Sequence, residues 1–239
     1  VSTNEYFNRV LQLGEKKENI FNVGSLGVEN AKKINLLLST KTIKKFNLDL
    51  KKKIFVITLH PETLNNRNTK KNTQTLLNAL KKFKNTNFIF TMPNAESGYK
   101  EICNQIIKFC KKYKDSFFFK SLGQDNYFAI CKHAHCIIGN SSSGIIESPS
   151  LLTPSLDIGN RQLGRVRAES VINSRFNVKS IIKSIKECIK LKNTKKKYSK
   201  FKNPYEKNKT ADRIIKVLKS KKLENILLKK FKDFHIKFS

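Results

Sequence analysis

Three consecutive serines open the stretch GNSSSGIIESPSL (139–151), and a single carboxylate, Glu147, follows one helical turn later among apolar residues. Small hydroxyls and free backbone N–H groups at the mouth of a turn are ligands for an anion, most often phosphate. The flanks frame that turn: CIIG (136–139) reads as a buried parallel strand, and IIESPSL reads as a short helix ended by Pro149. Elsewhere, His60 can donate to a phosphate or titrate near neutrality. Arg161 and Arg165 in GNRQLGR can complete a diphosphate clamp through charge-assisted hydrogen bonds. Glu147 is of a type to accept two hydrogen bonds from vicinal hydroxyls such as a ribose diol. A diphosphate beside a ribose is a nucleotide. Each residue also has a plainer reading alone, the serines as a helix cap, the histidine as a structural strand end and the arginines as surface ion pairs. The nucleotide reading depends on their converging in one crevice.

The elements that would bring them together are legible as apolar runs alternating with amphipathic ones. Strands are expected at 19–25, 54–60, 87–92, 116–122, 136–141 and 154–159. Between them Leu76, Leu77, Leu80 and Phe83 share a helical face, as do Ile102, Ile106, Ile107 and Cys110, and then Val178, Ile181, Ile182, Ile185, Cys188 and Ile189. This alternation specifies an α/β protein with a Rossmann-like parallel sheet and helices on both faces, and ligands of such sheets sit beyond the carboxyl ends of the strands. The residues directly after the strands are His60, Asn94, the Leu122–Gly123 turn, Ser141–Ser143 and Gly159–Arg161. They are distant in sequence and are expected to meet in one crevice.

Composition bounds the alternatives. With 239 residues, 38% of them apolar, the chain can hold one large or two small domains around ordinary cores. No run approaches the roughly 18 apolar residues of a membrane helix, and the start VSTNEYFNRV has neither a signal-peptide layout nor an initiator Met. A cytoplasmic protein without membrane attachment is expected, beginning partway through something longer. Five cysteines, odd in number and without a CxxC, point to reduced core thiols over disulfides. CKHAHC (131–136) resembles a metal cluster, but it also reads as a helix end running into a strand, and no metal is expected there. The net charge of +31 invites a nucleic-acid reading. Only seven of the 49 basic residues are Arg, however, and the lysines are scattered over helix faces and concentrated in KNTKKKYSKFK (192–202) and the tail, with no nucleic-acid-binding motif beside them, so specific nucleic-acid binding is not expected. GSLG (24–27) is too short to be a dinucleotide fingerprint, so no cofactor is expected either.

Five motifs in order, TLHPET (58–63), MPNAESG (92–98), GNSSSGIIESPSL (139–151), IGNRQLGRVRAESV (158–171) and NPYEKNKTADRI (203–214), resemble the UDP-N-acetylglucosamine 2-epimerase family. The likeness is to its hydrolysing branch, which makes free N-acetylmannosamine or related sugars for sialic-acid-type biosynthesis, and it runs from about residue 4 to about residue 217. NSSS, where the non-hydrolysing branch typically has DSGG, carries the distinction. NPYEKNKTADRI lacks both glycines of the family's usual NPYGDGxAS. The resemblance implies the second half of a two-domain glycosyltransferase-B-type architecture. Residues 1–22 would be a remnant of the first domain, 23–208 the nucleotide-binding domain, and 209–239 C-terminal helices with a basic tail. It implies a catalytic His60 at the diphosphate and glycosidic bond, Asn94 and Leu122 on the uracil side, and Ser141 and Ser142 on phosphate. Glu147 would then hold the ribose, and Arg161 the diphosphate, joined by Arg165. The acids acting at sugar C2 would belong to the N-terminal domain. If this chain alone were active, they would have to be sought among Glu62, Glu96, Asp125 and Glu169. The implied substrate is a UDP-hexosamine, the implied partners are the N-terminal domain in cis or trans and further copies of the chain. The competing readings are a non-catalytic UDP-binding or regulatory module and, behind it, a basic nucleic-acid-binding protein.

Overall fold

A computed structural model describes residues 1–62, 67–194, 201–221 and 231–233. The chain divides into two compact units, residues 1–30 with 204–239, and residues 31–203. The smaller unit contains helix α1 (Asn4–Gln12), capped by the Thr3 hydroxyl accepting from the Tyr6 N–H. It also contains α9 (Thr210–Ser220) and the start of α2 (Leu26–Lys33). Glu29 on α2 accepts from the Ala211 N–H at 2.9 Å, at the start of α9, and the hydroxyls of Tyr6 and Tyr205 meet at 2.8 Å.

The larger unit is a parallel sheet of six strands: β1 (Lys53–Thr58), β2 (Thr86–Thr91), β3 (Ser116–Phe119), β4 (Cys136–Gly139), β5 (Ser155–Ile158) and β6 (Val171–Ser174). All neighbouring pairs are parallel, in the order β3-β2-β1-β4-β5-β6. Ile54, Phe55, Val56 and Ile57 are all essentially inaccessible, because both faces of β1 are covered. Alternation along the strand divides them between two cores. Phe55 and Ile57 pack with side chains of α4 (Thr69–Leu80), α5 (Tyr99–Lys112) and α8 (Val178–Asn193). Ile54 and Val56 pack with α3 (Leu36–Lys45) and α6 (Gln124–His133).

The chain progresses outward from β1 in one direction through β2 and β3, then restarts beside β1 with β4 and leaves the other way. Between β1 and β4 the connecting helices change faces, and a crevice opens at the carboxyl ends of these two strands. Their ladder closes with Thr58 opposite Gly139. Gly139 has φ +134°, and a Cβ there would lie 1.9 Å from the Thr58 carbonyl oxygen, so only glycine lets β4 approach β1 this closely.

Two expectations are corrected, and one strand is added. Residues 19–25 form no strand: a 3₁₀ turn at Lys17–Asn19 is followed by extended chain whose Val23 and Ser25 N–H groups bond singly to the Val1 and Tyr205 carbonyls. Pro149 does not end a helix. Helix α7 is one turn, Ser143–Ile146, and Pro149 then sits at the start of a 3₁₀ turn (Ser148–Leu151), where a missing N–H costs nothing. Strand β6 was not anticipated, because in VINS only Val171 is buried. Thr63 of the first motif and much of the basic tail lie outside the described residues.

Candidate functional site

Beyond the carboxyl ends of β1 to β4 lies a cleft of about 570 Å³. Its wall is contributed by the ends of β1 and β2 (Thr58, His60, Thr91, Asn94) and the turn after β3 (Lys120–Gln124). Tyr127 and Phe128 of α6, the turn after β4 with α7 (Ser141–Ser143, Glu147), and Arg161 with Arg165 complete it. All eight residues singled out from the sequence, His60, Asn94, Leu122, Ser141, Ser142, Glu147, Arg161 and Arg165, line this one cleft.

At the β1–β4 end, His60 is only 8% exposed and is held on three sides. Its backbone N–H donates to Asn140 Oδ1 at 2.7 Å, its carbonyl accepts from Asn140 Nδ2 at 2.9 Å, and its Nδ1 accepts from the Asn94 N–H at 3.0 Å. Burial, and then the charge of Arg161, lower its pKa from 6.5 to about 4, with Glu96 opposing. At neutral pH it is therefore an uncharged imidazole with its proton on Nε2, a hydrogen-bond donor. Of the two roles left open for it, this environment favours the donor.

The GNRQ turn after β5 is fastened to the same point. Arg161 Nη1 and Gln162 Nε2 donate to the Asn140 carbonyl at 3.3 and 2.8 Å. The other Arg161 nitrogen, Nη2, pairs with Glu96 at 3.4 Å. Behind the turn, Arg167 donates to the Gln162 carbonyl at 2.8 Å and pairs with the buried Asp157 of β5 at 2.8 Å. The Asn160 N–H is met by Glu62 at 3.3 Å.

Directly after Asn140, the Ser141 hydroxyl accepts from the Ser143 N–H at 3.4 Å, shaping the serine turn into α7. That helix is a single turn, so the anion ligands here are hydroxyls, local amides and arginines, with little macrodipole behind them. Glu147, just past α7, has its pKa pushed up to about 7, chiefly by burial. The neighbouring Ser143 hydroxyl, its own backbone and Arg165 pull the other way. Burial also holds the Tyr127 hydroxyl beside it well above the usual tyrosine range. Leu122 is buried, and its carbonyl accepts from Asn126 Nδ2 at 2.8 Å, fixing the turn on that side.

Two organising residues escaped the sequence reading, although both stand inside motifs it quoted. Asn140 and Gln162 are 0% and 2% exposed. Their signal was a polar residue directly after an apolar strand or turn, too general to separate them from the serines and arginines around them. The CKHAHC residues serve packing. Cys131 and Cys136 are buried free thiols, and His135 Nδ1 accepts from the Ile54 N–H at 3.2 Å. Among the described residues no group of three or more His, Cys, Asp or Glu is placed to hold a metal ion. No described helix is long and apolar enough to cross a membrane.

Comparison with known proteins agrees with this geometry. Residues 1–219 match the family model described as UDP-N-acetylglucosamine 2-epimerase. The chain is 43% identical over 185 residues to the polysialic acid biosynthesis protein P7 of Escherichia coli, covering 77% of this chain and 47% of that one. It is 42% identical over 180 residues to the GDP/UDP-N,N'-diacetylbacillosamine 2-epimerase (hydrolyzing) of Campylobacter jejuni, covering 74% and 46%. The chain thus spans about half the length of the curated relatives it matches. Among solved structures, the Methanocaldococcus jannaschii UDP-GlcNAc 2-epimerase in complex with UDP-GlcNAc and UDP superposes with a TM-score of 0.69. It shares 20% identity, over 92% of this chain and 60% of that one. With strand order, motif order and these matches in accord, the chain belongs to the UDP-N-acetylglucosamine 2-epimerase family, in its hydrolysing branch.

Proposed function

We propose that this chain is the nucleotide-binding half of a hydrolysing UDP-hexosamine 2-epimerase, releasing UDP and a free N-acetylmannosamine-type sugar. The observation that carries the proposal is one cleft lined both by a neutral His60 with Arg161 fixed beside it and by a buried carboxylate, Glu147. The first suits a diphosphate and the second a ribose diol. The Leu122 turn and Asn94 flank the place left for the base. Residues 23–208 are read as the nucleotide-binding domain and 1–22 as belonging to a preceding one. The protein is read as a cytoplasmic homo-oligomer that needs neither cofactor nor metal. Its five free thiols accord with a reducing compartment.

In the reaction a base removes the C2 proton as the C1–O bond to UDP breaks. Water then adds across the resulting glycal, restoring the proton at C2 with inverted configuration and a hydroxyl at C1. Negative charge builds on the departing diphosphate. Donors fixed around it before the reaction lower that barrier without having to reorganise. On this reading the His60 Nε2–H, Arg161, Arg165 and the Ser141 and Ser142 hydroxyls are those donors. The proton transfers at C2 fall to the part of the family chain that this sequence does not span.

Joining this chain to a family N-terminal domain, by fusion or co-expression, tests the proposal. UDP and a free 2-epimerised N-acetylhexosamine are expected from the pair and neither from the 239-residue chain alone. Turnover by the chain alone would contradict this division of labour and move the search for the base to Glu62, Glu96, Asp125 and Glu169.

A further inference from the structure

The β1–β4 ladder ends at Thr58 and Gly139, with the Asn140 N–H reaching the Thr58 carbonyl at 3.2 Å, yet His60 must be carried two residues beyond Thr58 into the cleft. Beyond that point, among the described residues, no backbone group bonds the His60 N–H or carbonyl. Asn140 supplies the partner from its side chain, accepting from the His60 N–H at 2.7 Å and donating to the His60 carbonyl at 2.9 Å. A planar amide is the side-chain group that donates and accepts as a peptide does. The carboxylate of Asp could only accept, and Gln would place its amide a methylene too far. The Asn140 carbonyl, with two lone pairs, takes both Arg161 and Gln162. We propose that Asn140 is the positioning residue of this site, one buried amide and one carbonyl that together fix His60 and Arg161 relative to each other at the diphosphate end of the cleft.

The proposal rests on the nucleotide reading of the cleft, and its consequence is specific. Loss of the Asn140 side chain should release His60 from its fixed place relative to Arg161, which stays on the residue-140 carbonyl, and leave Glu147 as it was. A residue serving stability alone would lower the melting temperature and leave the folded site as it was.

Two readouts on the full 239-residue chain separate these outcomes. The first is the titration of His60 by nuclear magnetic resonance on histidine-labelled protein, its signal assigned by its loss in His60→Gln. The groups facing this imidazole are the Arg161 guanidinium, the Glu96 carboxylate and the Asn94 N–H. In folded Asn140→Ala and Asn140→Ser, neither of which keeps the amide that pairs with His60, the His60 midpoint is expected to rise by about a unit or more from about 4 as the ring leaves its anchored place and water reaches it, while Arg161 stays on the residue-140 carbonyl. The second is calorimetric affinity for UDP and UMP, where the preference for UDP is expected to fall roughly tenfold or more while UMP binding changes less than about twofold. A lower melting temperature with an unchanged His60 titration and an unchanged UDP-to-UMP ratio overturns the proposal. If neither variant folds, the wild-type chain decides the matter. A scalar coupling across the hydrogen bond from Asn140 Nδ2 to the His60 carbonyl is expected to persist in the UDP complex, and its absence there overturns the proposal. A wild-type chain that binds UDP and UMP equally would refute the nucleotide reading instead, leaving the His60 titration to judge Asn140 independently.

Discussion

At the β1–β4 end of the cleft, His60, Asn140, Arg161 and Gln162 are joined by hydrogen bonds of 2.7 to 3.3 Å. At the other end Glu147 sits beside the hydroxyls of Ser143 and Tyr127, with a carboxyl group that burial pushes up to about 7. The first region has its donors set before a ligand arrives, and the second keeps an acid that is stabilised as a carboxylate only when further donors are brought to it. A leaving group whose charge grows during the reaction gains most from the first kind of site. A diol that does not change during the reaction needs only selective binding, which the second kind provides.

The comparison predicts different kinetic signatures for damage at each end. The largest effect is expected from His60→Ala in the enzyme completed with its N-terminal domain. kcat should fall roughly ten- to a thousand-fold with little change in KM, because loss of one fixed donor to a developing oxyanion costs up to about 2.7–4 kcal/mol. Steady-state kinetics checks this, and a change confined to KM would place His60 with the binding residues. Next, Glu147→Gln should weaken UDP several-fold and leave pyrophosphate binding unchanged. Hydrogen bonds to a charged acceptor are worth about 1.5–3 kcal/mol, of which the amide keeps a part. A matching loss for pyrophosphate in calorimetry would make Glu147 a support of the serine turn.

A smaller effect is the dependence on pH. Glu147 is raised to about 7, so its accepting form is the minor one at pH 6 and the major one at pH 8. UDP affinity should therefore rise with pH across that window, by up to about tenfold, with proton release on binding. The diphosphate's own ionisation acts in the same direction, and Glu147→Gln isolates it by removing the other contribution. Identical pH profiles for the two proteins would refute the raised carboxyl. His60, lowered to about 4, acts on folding stability instead, in a lower window of pH. The unfolded chain takes up its proton first, so the stability His60 contributes is present above pH 6.5 and lost as pH falls toward 4. The smallest effect concerns salt: UDP binding, local and partly buried, should weaken little from low to physiological ionic strength. DNA binding through the scattered lysines should decline steeply over the same range. Sequence-selective DNA binding that persists at physiological salt would overturn the assignment.

How far the sequence could be read follows the same physical division. Strands β1, β2, β4 and β5 were legible because strands covered on both faces are uninterrupted apolar runs, whereas edge strand β6, with Asn173 exposed, carries no such mark. Residues 19–25 hold Ile20, Phe21 and Val23 in a short apolar run like a strand, but a strand also needs a neighbour to pair with, which local pattern does not reveal. Six of the eight cleft residues, His60, Asn94, Leu122, Ser141, Ser142 and Arg161, were legible because topology places residues that follow parallel strands at one edge, whereas Glu147 and Arg165 were legible from their motifs. Asn140 was hidden because its role lies in a bond to a residue 80 positions away, and the high pKa of Glu147 because it arises from burial by α6 and the serine turn. Single residue types announce chemistry; what holds them in register is visible only after folding.

The central claim is that one cleft binds the two ends of one nucleoside diphosphate. Calorimetric titration of the 239-residue chain with UDP, UMP and pyrophosphate, at one pH and salt, tests it most directly. UDP is expected to bind at least about tenfold, or 1.4 kcal/mol, more tightly than either of the others, since each lacks one end of the contact set. Equal affinity for UDP and UMP, or for UDP and pyrophosphate, would contradict the account.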